Sequence, residues 1–92
     1  MNIVTVCGMG FGTSLILKMA VDDILGKYNI DADVEACDLG SVKGKHADLI
    51  VSTSELKSEL EDVEGNIIFV QNAVDRKDIE EKLMNALSIL NA

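Results

Sequence analysis

Short apolar segments alternate along this chain with longer segments of helical periodicity. The segment Asn2 to Val6 reads NIVTV, is rich in β-branched residues and ends at a glycine cluster, which is typical of a strand. From Ser14 to Tyr28 apolar residues recur at helical spacing, which predicts an amphipathic helix. Its predicted inward positions are Leu17, Val21, Ile24 and Tyr28.

Three further strands are predicted downstream. Residues 32–37 form the second, and the apolar run within residues 48–52 predicts a third strand that is buried on both faces. Residues 67–70 predict the fourth. The connection 39–47 is short for a parallel crossover and has no helical period, so we expect one irregular turn there.

Helical patterns follow the third and fourth strands. The first pattern begins at Ser52, where Glu55 is placed to complete a capping box, and it stops at Gly65. Its predicted apolar stripe is Leu56, Leu60 and Val63. Asp75 is the predicted N-cap of the last helix. The inner positions of that helix are Ile79, Leu83, Leu87 and Leu90.

The alternation of strands and helices predicts an α/β fold in a single domain, residues 1–92. We expect one four-stranded parallel sheet of order 2-1-3-4 with helices on both faces, Rossmann-like or phosphatase-like in type. In this order the first strand lies between the second and third, which makes its carboxyl end the topological switch point. Ligands of such sheets bind at that place.

Composition excludes several classes of function. The net charge is −8 with eight basic residues spread thinly, which argues against nucleic-acid binding. Two cysteines outside any CxxC pair and one histidine indicate neither a disulfide framework nor a zinc site. No apolar run is long enough to span a bilayer, so we expect a soluble cytoplasmic domain that needs no metal or cofactor.

The candidate chemistry lies in the loop after the first strand, which reads CGMGFGTS at 7–14. Glycines bring backbone N–H groups close to a ligand, and a helix N-terminus adds positive potential, so this loop should hold an anion. Cys7, at its lip, should have a lowered pKa and act as a nucleophile. The predicted phosphate-binding residues are Gly8, Met9, Gly10, Phe11, Gly12, Thr13 and Ser14.

Thr13 separates this loop from three known phosphate loops. A Walker A loop needs Lys at position 13, a dinucleotide loop needs Gly there, and a C-x5-R-[ST] phosphatase loop needs Arg. The phosphatase comparison is informative, because its Arg stabilises charge in the transition state. Without it, water should attack a phosphocysteine poorly, which suits a carrier that keeps the phosphoryl group until an acceptor arrives.

The chain resembles the IIB components of the phosphoenolpyruvate-dependent sugar phosphotransferase system (PTS), most of all the ascorbate-specific branch; the galactitol branch is related. The resemblance lies in VCGMGFGTS at 6–14, the helix at 15–25 and NIDADVEAC at 29–37, and it continues to the last helix. It implies that Cys7 receives phosphate from a phosphohistidine of a IIA protein. Cys7 would then pass that phosphate to a sugar held by a membrane IIC component.

Alternative interpretations remain open. The chain could be a low-molecular-weight phosphatase that uses Arg76, its only arginine, or a passive anion- or nucleotide-binding module. A thiol redox role is a third possibility, against which the lack of CxxC spacing argues. Cys37 is interpreted as a packing residue and His46 as a surface residue. Two further groups could either pack locally or border the site: Met9 and Phe11 as an apolar docking spot, and Ser52, Thr53 and Ser54 as its rim.

Overall fold

The computed structural model describes residues 2–7, 11–42, 44, 47–61, 63, 65–71 and 75–90, without the side chains at 7, 11–14, 38, 39, 55 and 90. Four strands alternate with helical segments along these residues. In chain order they are β1 (Asn2–Cys7), α1 (Phe11–Lys27), β2 (Asp33–Asp38), α2 (Leu39–Val42), β3 (Leu49–Thr53), 3₁₀ turns at Ser54–Leu56 and Ser58–Leu60, β4 (Ile67–Val70) and α3 (Arg76–Leu90). No helix among the described residues is long and apolar enough to cross a membrane.

The four strands form one parallel sheet of order β2-β1-β3-β4, which confirms the predicted topology. β1 is central and pairs with β2 from Asn2 to Cys7 and with β3 from Ile3 to Val6. β4 continues the sheet beyond β3. β1 ends one residue later than predicted, and β2 and β3 each begin and end one residue later. The irregular connection after β2 contains the single turn α2, as expected.

The two faces of the sheet bury separate cores. Strand side chains alternate between faces, so that Ile3 lies in one core and Val4 in the other. α1 and α3 cover the first face, where Leu17, Val21, Ile79, Leu83 and Leu87 are buried. α2 and the 3₁₀ turns cover the second face. The residues buried there are Val4, Val6, Cys37, Val42, Ile50, Leu56 and Leu60.

The end of α1 differs from the prediction at Tyr28, which was expected to face inward. Asn29 has a positive φ of 56°, and the N–H groups of Asn29 and Ile30 bond to the carbonyls of Gly26 and Leu25. This is a Schellman motif, in which a left-handed residue closes the helix. The turn carries Tyr28 off the inner stripe, and its side chain is 44% exposed.

The segment after β3 also differs from the prediction. We expected an α-helix with a capping box from Ser52, but the chain makes two 3₁₀ turns, and no side chain caps the first of them. Ser52 belongs to β3, and its hydroxyl bonds to β1 instead. Leu56 and Leu60 are buried as expected. The predicted cap of α3 is confirmed, since the N–H of Asp78 donates to Asp75 Oδ1 at 3.2 Å.

Candidate functional site

The fold places the backbone of Cys7 at the carboxyl edge of the sheet. Cys7 is the last residue of β1 and pairs in register with Asp38, the last residue of β2. Its other neighbour is β3, so β1 has a crossover connection leaving from its end and strands on both sides. This is the topological switch point at which ligands of parallel sheets bind.

α1 begins at Phe11, four residues after the end of β1 and three residues before the predicted start at Ser14. Phe11, Gly12 and Thr13 therefore lie in the first turn, where N–H groups find no acceptor within the helix. A helix of 17 residues also carries roughly half a positive charge at this end. Gly8, Met9 and Gly10 lie outside the described residues, as do the side chains of the other predicted site residues.

Ser52 joins β3 to β1 immediately below the site. Its side chain is fully buried, and its hydroxyl donates to the carbonyl oxygen of Val6 at 3.1 Å. Ser54 bonds similarly to the carbonyl of Val70, at 3.3 Å. Both hydroxyls thus hold strand ends in place. The sequence left Ser52 as either a helix cap or part of the rim of the site; the signal that it supports β1 lies in the three-dimensional register of the strands.

Arg76, on which a phosphatase interpretation depends, is tied to α1. Its Nη1 lies 2.6 Å from Asp23 Oδ2, in a pair that is more than half exposed. Asp23 is 12 residues after the start of α1, or about 18 Å along the helix axis. The contact therefore holds the guanidinium far from the helix N-terminus.

A second polar contact between α1 and α3 involves Glu80. Its Oε1 accepts from the Tyr28 hydroxyl at 2.6 Å and from Lys27 Nζ at 3.0 Å. The hydrogen bond from Tyr28 and then that from Lys27 lower the pKa of Glu80. The same hydrogen bonds to Glu80 raise the pKa of Tyr28 and of Lys27. All three groups are solvent-accessible, so they connect the helices without forming part of a buried site.

Three large apolar side chains in the first half of α1 are exposed. Leu15 is 50% exposed, Ile16 43% and Met19 60%. The inward stripe of α1 runs through the buried Leu17 and gives no indication of them. The available signal was the number of apolar residues between positions 15 and 19, since one inward face does not accommodate all of them.

The remaining candidates lie apart from Cys7 or outside the description. Cys37 is buried in the second core, as expected of a packing residue. His46 lies outside the described residues. Among the residues described, no cluster of three or more potential ligands is placed to hold a metal ion. A groove of about 510 Å³ between β4 and α3 is lined by Leu49 and Ile67, the first residues of β3 and β4, and so lies at the opposite edge of the sheet.

Comparison with known proteins assigns the chain to a family. Residues 2–85 match the family model described as "PTS system, Lactose/Cellobiose specific IIB subunit". The chain belongs to the PTS IIB family. This membership gives it a role in sugar phosphotransfer and confirms the resemblance drawn from the loop sequence.

Relatives within the PTS IIB family carry a more specific description. The "Ascorbate-specific PTS system EIIB component" of Mycoplasma pneumoniae is 34% identical over 90 residues, which cover 95% of each chain. The component of the same name from Salmonella typhimurium is 36% identical over 94% of this chain and 88% of its own length. The protein from Escherichia coli O157:H7 gives the same values.

A solved structure confirms the fold of this PTS IIB chain. The low-molecular-weight protein tyrosine phosphatase of Bacillus subtilis superposes with a TM-score of 0.53, covering 98% of this chain and 92% of the phosphatase. The two sequences are 12% identical, so the similarity concerns the fold alone.

Proposed function

We propose that Cys7 carries a phosphoryl group between a IIA protein and a sugar bound by a membrane IIC component. In the first step the Cys7 thiolate attacks phosphorus, the S–P bond forms, and the N–P bond to the donor histidine breaks with its electron pair going to the imidazole. In the second step a sugar hydroxyl attacks, the S–P bond breaks, and the thiolate leaves. The hydroxyl proton passes to a base on the acceptor side.

The position of Cys7 is the observation that carries this proposal. A cysteine ends the central strand and stands four residues before the start of a 17-residue helix, in a chain of the PTS IIB family. The positive end of a helix favours a thiolate and a bound phosphate alike. We infer that backbone N–H groups of residues 8–14 hold the phosphoryl oxygens, with the hydroxyls of Thr13 and Ser14 as further donors.

A carrier role also agrees with the contact made by Arg76. Phosphatase chemistry at Cys7 would need a guanidinium on the phosphoryl oxygens, and the single arginine of the chain is held by Asp23 on the third to fourth turn of α1. Neutral N–H donors bind the phosphoryl group without that charge. Phosphocysteine should therefore persist until an acceptor arrives, since transfer depends on positioning of the incoming nucleophile.

The relatives indicate which sugar to test first. Those compared here are ascorbate-specific components, so we propose ascorbate or a related sugar, although the family model is described as lactose and cellobiose specific. We further propose that residues 1–92 act as one IIB domain in the cytoplasm, without a metal or cofactor.

Intact-mass analysis of the chain tests the first step. The protein is incubated with a phosphorylated IIA donor, alongside Cys7→Ser and, as a matched control, Cys37→Ser. We expect one added phosphate on the parent and on Cys37→Ser and none on Cys7→Ser. Transfer onward is then followed with labelled ascorbate, galactitol or cellobiose and membranes that contain the corresponding IIC component.

Three results would contradict the proposal. An adduct that survives in Cys7→Ser would move the phosphoryl site elsewhere. Absence of an adduct from every variant, with a donor that phosphorylates another IIB protein, would favour the passive anion-binding module. Turnover of a small aryl phosphate by the parent would favour the phosphatase.

A further inference from the structure

We infer that the exposed apolar residues in the first half of α1, Leu15, Ile16 and Met19, form the surface on which the phosphoryl-donor protein docks. We call these three residues the α1 patch. The inference rests on the proposed function, because it identifies the contact through which a donor histidine reaches Cys7.

The α1 patch is one continuous surface. Its residues occupy positions i, i+1 and i+4 of the helix, which span about 100° of the helix circumference. Each is between 43% and 60% exposed. The opposite side of the helix, with Leu17 and Val21, is fully buried in the core against the sheet. The packing of α1 against the sheet therefore does not depend on the α1 patch.

The apolar character of this surface is confined to the half of the helix nearest Cys7. Farther along, the same side of α1 carries Asp22, Asp23, Gly26 and Lys27, all exposed. A helix that merely tolerated exposed apolar residues would not be expected to gather three large ones beside the site. Grouped apolar side chains with a polar border are typical of interaction sites.

The distance from Cys7 suits a protein that must deliver a group to the thiol. Met19 is eight residues from the start of α1, or about 12 Å along its axis. A standard interface covers about 800 Å² on each partner, which corresponds to a radius of about 16 Å. A donor that brings the phosphorus of its phosphohistidine to about 3 Å from the reacting sulfur would therefore cover the α1 patch.

Charge indicates the chemistry of the donor surface. The chain has a net charge of −8, and Asp22 and Asp23 border the patch. Lys18 and Arg76 each pair with one of these carboxylates, so the border is close to neutral locally within an acidic protein. We therefore expect the donor to present an apolar patch next to its phosphohistidine. Because the chain as a whole is acidic, we expect basic side chains farther out on the donor, which steer the encounter.

A double variant, Leu15→Gln with Met19→Gln, tests the inference. Glutamine is similar in length and forms helices well, so α1 should be retained, as circular dichroism would verify. The control is Ile89→Gln, which makes the same type of change at a 73% exposed residue of α3 beside the groove at the opposite edge of the sheet. The readouts are initial rates of Cys7 phosphorylation against concentration of the phosphorylated IIA donor, and the alkylation rate of Cys7 by iodoacetamide.

We expect the double variant to raise KM for the donor at least fivefold, with kcat and the alkylation rate unchanged and with Ile89→Gln like the parent. An unchanged KM would overturn the inference, as would an equal rise in Ile89→Gln. Loss of sugar phosphorylation from preformed phospho-Cys7, with donor kinetics intact, would assign the surface to the acceptor and also overturn it. A parent that takes no phosphate would instead refute the proposed function.

Discussion

At the scale of single residues, the Ser52 hydroxyl connects the stability of the sheet to the position of Cys7. It donates to the carbonyl of Val6, the residue that precedes Cys7, and it is fully buried. A buried acceptor that loses its donor retains its desolvation cost. Removal of the donor therefore destabilises the fold by more than the net free energy of the hydrogen bond suggests. Ser52 is therefore a positioning residue for the end of β1.

We predict that Ser52→Ala lowers the free energy of unfolding by about 1–2 kcal/mol, because the Val6 carbonyl loses a buried donor. Urea denaturation measures this change. The matched control is Ser54→Ala, whose hydroxyl bonds to the Val70 carbonyl but whose residue is exposed, and we expect a change within about 0.5 kcal/mol there. Equal losses in the two variants would contradict the special role of Ser52.

If Ser52 positions Cys7, its loss should also slow phosphoryl transfer at saturating donor. The readout that separates positioning from stability is the alkylation rate of Cys7 measured well below the unfolding temperature. Restoration of both values by Ser52→Thr, which retains a hydroxyl, would support the interpretation. A transfer rate unaffected by Ser52→Ala would leave this residue with a structural role alone.

At the scale of elements, the sequence was sufficient to predict a strand or helix wherever the local residue pattern and the tertiary environment favour the same structure. The apolar run of β3 predicted a strand buried on both faces, and every residue of Leu49–Thr53 is buried. The helix predicted from the Ser52–Glu55 spacing does not form, because the Ser52 hydroxyl bonds to the neighbouring strand β1 instead of capping a helix. The prediction that Tyr28 faces inward is wrong because the turn at Asn29 ends α1 at Lys27, one residue before the predicted end.

The candidate site was predictable to a similar degree. The order of strands, which alternation predicted, places Cys7 at the switch point. Periodicity alone identified the inward stripe of α1 and gave no reason to examine Leu15, Ile16 and Met19 as a group. Their exposure depends on where the sheet and α3 contact the helix, and that is a property of the tertiary structure.

The open edge of the sheet at β4 is protected by a lysine from α3. The carbonyl of Asn66 accepts from Ile50 of β3, so by alternation the carbonyl of Phe69 points to the open edge. Lys82 Nζ donates to that carbonyl at 2.8 Å and also lies 3.3 Å from Asp78 Oδ1. A charged side chain on an edge strand prevents pairing with another chain.

We therefore predict that Lys82→Ala increases concentration-dependent association, because it removes the charge and frees an edge carbonyl. Light scattering at increasing protein concentration would measure this, with an expected several-fold faster rise than in the parent. Lys77→Ala is the control, since Lys77 is an exposed lysine on the same helix and its loss changes the net charge equally. Similar behaviour of the two variants would attribute the effect to net charge.

At the scale of the whole molecule, contacts between α1 and α3 connect the two ends of the chain. Glu80 bonds to Tyr28 and Lys27, and Arg76 pairs with Asp23, so residues 52 or 53 positions apart are joined at the surface. α1 carries the α1 patch and begins four residues after Cys7. A contact that fixes its far end helps to fix its angle against the sheet.

This contact should make stability depend on pH at both extremes. The pKa of Glu80 is lowered in the folded protein, so its ionised form contributes stability. That stability is lost as pH falls below the ordinary pKa of about 4.3 and through the lowered pKa of the folded state. The raised pKa values of Tyr28 and Lys27 contribute stability that is lost as pH rises above about 10. The expected measurement is a difference in urea midpoint between parent and Glu80→Gln that is present at pH 7 and shrinks at both limits. A difference that stays constant across pH would contradict it.

The central place of β1 has a consequence for how the protein is made. Both strands that flank β1 come later in the chain, and the second of them ends at Thr53. During synthesis from the N-terminus, the strand that bears Cys7 emerges first yet cannot complete its hydrogen bonding until β3 has left the ribosome. During synthesis Cys7 is thus exposed at the end of an incomplete sheet until β3 is available to pair with β1.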